Sequence, residues 1–317
     1  MNVFYFIFQQ TMFFTIPLMI VALGGLFSEK SGIVNIALEG KMVLGAFAGI
    51  LTIATFQEQL PGTPILIIAL IVATLTGTVI SLFHAYASIH LNADQVISGI
   101  AINMFAPALV IYLSRLITGT QLVNFTNQFR IEAVPFLSDI PVIGQMFFRN
   151  TYLTTFLGFG IMVIGTIILF KTQFGLRLRA CGEHPGAADS VGINVAKIRY
   201  IGVITSGALA GFGGLVLIIP SFSVFSGSVS GYGFLALAVL IFGGWNPVKI
   251  IFAAFFFGLL QATASSFTAI DFLRNLNIPP HFFRMTPYVA TLLLLSFTSK
   301  NTVAPKALGQ VYDKGKR

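Results

Sequence analysis

Asn35 and Glu39 stand four residues apart in SEKSGIVNIALEGKM (28–42), so a helix here would put an amide and a carboxyl on one face. Such a pair can hold a hydrogen-bonding solute. A carboxyl inside a bilayer costs about 2.5–3.5 kcal/mol on insertion scales and therefore faces a cavity or a partner. At the membrane edge, beside Glu29, Lys30 and Lys41, the same group is an ordinary interfacial charge. A second polar set opens LNADQVISGIAINMFAPALVIYL (91–113). Asp94 ahead of an apolar run reads as a helix cap. Gln95, Ser98 and Asn103 fall on one helical stripe among Ile, Phe and Val. Polar side chains in lipid need partners, so this stripe either bonds neighbouring helices or lines a path for a polar solute. Asn35, Glu39, Gln95, Ser98 and Asn103 are the candidate pathway residues. Phe222, Phe225, Tyr232, Phe234 and Trp245 offer flat faces on which a base could stack. Tyr and Trp also favour membrane interfaces, which is the plainer reading.

No catalytic constellation accompanies these groups. Gly40-Lys41 is followed by Met42 and position 35 is Asn, which breaks the phosphate-loop pattern. Gly231, Gly233 and Ala236 match a degenerate dinucleotide fingerprint, but they open an apolar helix instead of following a strand. Nucleophile-elbow and HExxH motifs do not occur. His84, His90, His184 and His281 are dispersed, and Cys181 is alone. The chain is expected to carry no catalytic residue, metal or cofactor of its own.

The elements that must position these residues follow from composition. Of 317 residues 56% are apolar and 9% charged, with 33 Phe and a mean hydropathy of +0.90. Soluble domains carry about 25% charged residues, and one core of this size cannot hide so much apolar surface. Disorder, coiled coil and collagen are excluded, and the basic balance reads as membrane anchoring in place of nucleic-acid binding. The apolar start lacks a basic n-region and runs on too long for a cleaved signal peptide. The chain reads as an all-α polytopic membrane protein of about nine spans. They lie near 4–27, 34–56, 64–89, 96–116, 152–170, 200–220, 232–246, 250–268 and 285–298. The seventh is short and holds Gly243 and Gly244, which points to a broken helix. Residues 1–41 also allow two short helices in place of one long span.

With nine spans and a cytoplasmic C-terminus, 13 Lys and Arg fall inside and five outside, the bias that the positive-inside rule demands. Gly45–Gly49 and Gly207–Gly211 are small-residue pairs suited to close helix packing. A helix, a Gly/Ser-punctuated break and three further helices occur from residue 4 and again from residue 200. The breaks span 28–40 and 220–233. One extra helix (152–170) separates the copies, which inverts the second. Inverted repeats with interrupted helices are how transporters build a midplane pathway. The chain thus divides into repeat one (4–116), a linking helix (152–170), a cytoplasmic loop (171–199), repeat two (200–298) and a cytoplasmic tail (299–317). All of these belong to one membrane domain.

The longest polar inner segment, KTQFGLRLRACGEHPGAADSVGINVAKIR (171–199), predicts a short helix. Pro185 suits its first position with Glu183 or His184 as cap, and Gly192 suits its stop. An anchoring loop needs only charges, so a structured helix indicates a docking surface.

Three stretches carry a family resemblance: SEKSGIVNIALEGKMVLGAFAG (28–49), LNADQVISGIAINMFAPALVIYL (91–113) and FGLRLRACGEHPGAADSVGIN (174–194). GYGFLALAVLIFGGWNPVK (231–249) fits the same pattern. The chain resembles the permease subunits of ABC importers for nucleosides, within the family that includes simple-sugar and branched-chain amino-acid permeases. The resemblance implies a bacterial-type cell-membrane protein that pairs with a second permease subunit, identical or different. It implies two cytoplasmic ATPases that use ATP, and an extracytoplasmic substrate-binding protein. Carried over residue by residue, Glu183, His184, Pro185, Ala187, Ala188 and Asp189 would contact the ATPase. A self-contained secondary transporter is the alternative, disfavoured by the scarcity of mid-span acids.

Overall fold

Apolar runs of membrane length become helices because every backbone group in lipid must be bonded internally. The computed structural model describes residues 3–126, 128–267, 279–298 and 304–313. Its helices are α1 (Val3–Lys30), α2 (Leu38–Phe56), α3 (Thr63–Ile89), α4 (Gln95–Thr118), α5 (Leu153–Lys171), α6 (Gln173–Glu183), α7 (Pro185–Ser190), α8 (Val195–Ser221), α9 (Tyr232–Phe242), α10 (Pro247–Ser265) and α11 (Pro280–Thr298). Among the described residues seven helices, α1–α5, α8 and α10, are long and apolar enough to cross a membrane.

Two long helices, α1 with 28 residues and α8 with 27, form the buried centre. They run antiparallel: Gly202 lies against Phe27 and Ser31, Gly24 against Ser206, and Gly213 against Val21. Around them α8 packs on α2 and α3, while α1 packs on α5, α9 and α10. The small-residue pairs do what their spacing predicts. A Cβ on Gly45 would strike the backbone of Gly211, and one on Gly207 would strike Ser81 and the Gly77 carbonyl.

Several boundaries differ from the sequence reading. Residues 3–30 form one helix, so the two-helix alternative for the start is excluded. α9 has 11 residues, about 16 Å of helix, and is too short to cross a core of about 30 Å. It stops at Gly243, after which Trp245 adopts a positive φ of 53°. α8 begins at Val195, because Asn194 Oδ1 accepts the Lys197 amide at 2.9 Å. Lys197 and Arg199 are therefore helical, not loop, residues. The inner segment holds two helices, not one: α6 precedes α7 and buries Leu178 and Cys181 while exposing Arg177. The stretch between α4 and α5 adds strands β1 (Val123–Asn124), β2 (Arg130–Ala133) and β3 (Arg149–Tyr152), so the fold is mostly but not wholly helical. β2 pairs with β3, and β1 pairs with β4 (Val224–Phe225) from the second break, both antiparallel. Residues 268–278, within or beyond the expected eighth span, and Lys300 of the tail lie outside the described residues.

Candidate functional site

α1 ends at Lys30 in a tight turn. Ser31 Oγ donates to the Ser28 carbonyl at 2.6 Å and Ser28 Oγ to the Ile33 carbonyl at 2.8 Å. Gly32 supplies the positive φ of 97° that the turn requires. The chain then returns toward the middle of the bundle without helix, and its free peptide groups are met by side chains. Gln95 Oε1 accepts the Val34 amide at 2.7 Å, and Asn103 Nδ2 donates to the Ile36 carbonyl at 2.9 Å. Asn103 Oδ1 accepts the Gly40 amide at 2.8 Å. Ser98 Oγ meets His84 Nδ1 at 3.0 Å, and His84 Nε2 meets the Val34 carbonyl at 3.1 Å. Asn35 Nδ2 donates to Ser206 Oγ on α8 at 2.7 Å. The polar stripe of α4 thus cradles the first break, as broken backbone at membrane depth demands.

Glu39, in the first turn of α2, ties this break to the other one. Its Oε1 accepts the Gly231 amide at 2.8 Å and its Oε2 the Gly233 amide at 2.6 Å. One carboxyl therefore sits at two helix N-termini, its own and that of α9, where partial positive charge favours it. Contact this close requires glycine: a Cβ on Gly233 would strike the Glu39 backbone, and one on Gly40 would lie 2.8 Å from the Ile102 carbonyl. The far end of α9 is held similarly, since Trp245 Nε1 donates to Glu29 Oε2 at 2.5 Å. Tyr232 lies beside Phe14, ring centroids 6.1 Å apart, so the two breaks meet near the midpoint of α1.

Lys41 is fully buried and donates to Asn35 Oδ1 at 2.8 Å. The sequence reading placed it among the inner-loop charges. It lies within the bundle instead, and without it the inner excess of basic residues remains. His84, read as merely dispersed, is buried on α3 in the same network. Lys41, His84, Ser206 and the Glu29–Trp245 pair were thus missed as members of the site. A lysine one turn into an apolar helix was the available signal for Lys41. Nothing local marks Ser206, which reaches Asn35 from 171 residues away. Of the aromatic candidates, Tyr232, Phe225 and Trp245 are buried, whereas Phe222 and Phe234 are exposed. Among the described residues no three of His, Cys, Asp and Glu are placed to hold a metal.

The segment between α5 and α8 is folded and packs on the ends of α1, α5 and α8. His184 Nδ1 accepts the Ala187 amide at 3.2 Å, with Pro185 at the first helical position and Gly192 at φ 85° as the stop. Glu183, His184 and Ala187 are exposed, Pro185 and Asp189 half-buried, and Ala188 is buried, seating α7 on the fold. Residues 304–313 strap this segment to the first break. The Ala307 amide donates to the Gly182 carbonyl at 2.9 Å and the Gly309 amide to the Gly32 carbonyl at 3.0 Å. Arg199 Nη1, largely buried, donates to the Gln310 carbonyl at 3.1 Å.

Residues 7–295 match the family described as "Branched-chain amino acid transport system / permease component". The guanosine ABC transporter permease protein NupQ of Bacillus subtilis is 43% identical over 97% of this chain and 96% of its own length. The nucleoside ABC transporter permease protein NupC of Lactococcus lactis is 39% identical over 99% of both chains. A putative glucose ABC transporter permease protein of Haloferax volcanii, TsgC13, is 28% identical over 94% of both. No solved structure matches. A full-length family match and an architecture of buried, interrupted membrane helices agree, and the chain belongs to the branched-chain amino-acid transport system permease family.

Proposed function

We propose that this chain is the membrane-spanning permease of an ATP-driven importer for nucleosides, forming the substrate pathway by alternating access. The observation that carries it is the junction at mid-bundle, where one carboxyl, Glu39, links two interrupted segments from opposite halves of the chain. Such broken helices at the midplane are the apparatus of transporters. The names of the two relatives above 38% identity, one guanosine and one nucleoside permease, support the substrate class.

The two halves (about 4–116 and 200–298) are inverted repeats joined by the linking helix 152–170, in a single membrane domain of nine spans, the seventh made by the second break together with α9. The packing supports this: α8 lies on α3 as α1 lies on α10, and α2 lies on α8 as α9 lies on α1. The N-terminus faces outside and the C-terminus the cytoplasm. Two cytoplasmic ATPases hydrolyse the ATP, docking on α6–α7 through Glu183, His184, Pro185, Ala187 and Asp189. Ala188 acts by seating that helix. A second permease subunit completes the pathway, and an extracytoplasmic binding protein delivers substrate. Asn35, Glu39, Gln95, Ser98 and Asn103 form the hinge of the pathway, holding its broken backbone while the halves move.

A simple-sugar importer is the second reading, favoured by the glucose-permease relative. Uptake of labelled guanosine into membrane vesicles separates them. Competition by unlabelled nucleosides but not by glucose, pentoses or leucine, with dependence on ATP and a co-purifying ATPase, is the expected result. Competition by glucose alone overturns the substrate. Uptake driven by an ion gradient without ATP overturns the class.

A further inference from the structure

The second break roofs a cavity that the junction described above does not use. It has a volume of about 530 Å³ and lies between α1, α8, α10 and α11, with the first residue of α9 as its floor. Gln10, Phe14, Phe222, Tyr232, Gln261 and Tyr288 face it. Because α8 is antiparallel to α1, the C-terminal end of α8 and the N-terminal half of α1 wall the same side. The cavity therefore descends from the N-terminal face of α1 to the midpoint of the bundle.

Two residues that line it carry buried hydroxyls with bonding capacity to spare. Tyr232 faces the Gln261 side chain but its hydroxyl makes no well-formed hydrogen bond, and Ser221 Oγ has no partner. A buried polar group left unpaired costs about 1–3 kcal/mol, which an occupant that bonds either hydroxyl would recover. Beside them Gln10 and Gln261 offer amide donors and acceptors, and Phe14 and Phe222 offer flat apolar faces. None of its described lining side chains is charged. The volume lies within the range of about 300–1,000 Å³ seen for small-molecule sites.

We propose that this cavity is a binding site for the transported nucleoside, its base against Phe14 or Phe222 and its polar edges on Tyr232, Gln261 and Gln10. This rests on the nucleoside reading of the preceding subsection. Position gives the site its consequence. Tyr232 stands between Gly231 and Gly233, whose amides Glu39 binds, and Tyr288 Oη donates to the Ser230 carbonyl at 3.0 Å. An occupant touching Tyr232 and Tyr288 thus bears on the peptide groups that join the two breaks. Loading the cavity and moving the halves become one event.

The test uses the assembled transporter in membrane vesicles. Ser265 is exposed at the cavity, and the natural Cys181 is buried, so Ser265→Cys provides the accessible thiol. Guanosine with binding protein is expected to slow maleimide labelling of Ser265→Cys, while ribose and leucine leave it unchanged. Adding Tyr232→Phe and Gln261→Leu, with insertion checked by immunoblot, is expected to abolish that protection. The pair is also expected to reduce guanosine uptake roughly five- to tenfold for each hydrogen bond lost. If the wild-type protein imports guanosine while labelling is indifferent to it, or the double variant imports at the wild-type rate, the cavity assignment fails and the nucleoside reading stands. If the wild-type protein imports no nucleoside, both fail.

Discussion

Glu39 is the residue on which the junction turns. Both of its oxygens accept amides from the start of α9 while its own backbone opens α2, so removing either acceptor leaves a peptide N–H unpaired in a largely buried site. Glu39→Gln keeps the volume but turns one acceptor into a donor that opposes the Gly231 or Gly233 amide. Hydrogen bonds to a charged group are worth about 1.5–3 kcal/mol, and a loss of that order is expected in thermal unfolding of the detergent-solubilised protein. Guanosine uptake should fall with it, because the two breaks would no longer move together. Glu39→Gln protein that melts and transports like the wild type would remove the junction from the mechanism. Asn103 holds only the first break, through Ile36 and Gly40, so a substitution there acts within the first half, whereas Asn35 also reaches Ser206 in the second half.

Among the elements, α7 has the clearest mechanical part. It is a helix of six residues, far below the length that is stable alone, and it stands only because His184 caps it and Ala188 seats it. The residues 304–313 then fasten it through Gly182 to the turn at Gly32, the start of the first break. A partner that pushed on α7 would therefore reach the turn at Gly32 through hydrogen-bonded backbone. Ala187 is exposed and Ala188 buried, so the two positions separate docking from folding. Ala187→Arg is expected to abolish ATP-driven uptake, and stimulation of the ATPase by loaded binding protein, in a protein that inserts and melts normally. Ala188→Leu is expected instead to cost about 1–3 kcal/mol of stability through overpacking. Wild-type uptake by Ala187→Arg would exclude α7 as the docking helix.

At the scale of the whole molecule, orientation decides what every cavity and projection can meet. The natural thiol cannot report it. Cys181 is buried against α1 and α8, and burial pushes its thiol up to about 11, so little thiolate forms at neutral pH. Two exposed positions on opposite faces serve better: Thr120 in the loop after α4, and Val191 beyond α7. In Cys181→Ala protein an impermeant maleimide is expected to label Thr120→Cys in intact cells and Val191→Cys only in inverted vesicles. The reverse pattern would put the N-terminal face of α1, and the cavity beneath it, on the cytoplasmic side.

Hydropathy alone determined that this is a membrane protein, and seven of its long helices were readable within a few residues, because burial in lipid leaves a run of membrane length in the sequence. Local grammar likewise placed α7, since proline, cap and terminal glycine act within one turn of where they stand. The amphipathic α6 was less legible. Its apolar positions 174, 178 and 181 are spaced as a helix face, but the arginines between them read as loop charges. What Glu39, Asn103, Gln95 and Ser98 touch was not written locally at all. Their types required partners without saying which: Gln95, Ser98 and Asn103 allowed an interhelical bond or a solute path equally, and Glu39 allowed a pathway group or an interfacial charge. Ser98 finds His84 14 residues away, and tertiary structure supplied the partners of the other three from 61 to 194 residues away, because the peptide groups that need them are freed only when two helices break at one depth. For the same reason Lys41 changed from a loop anchor to a buried member of the site. Charge type is local, but the depth at which the fold places it is not.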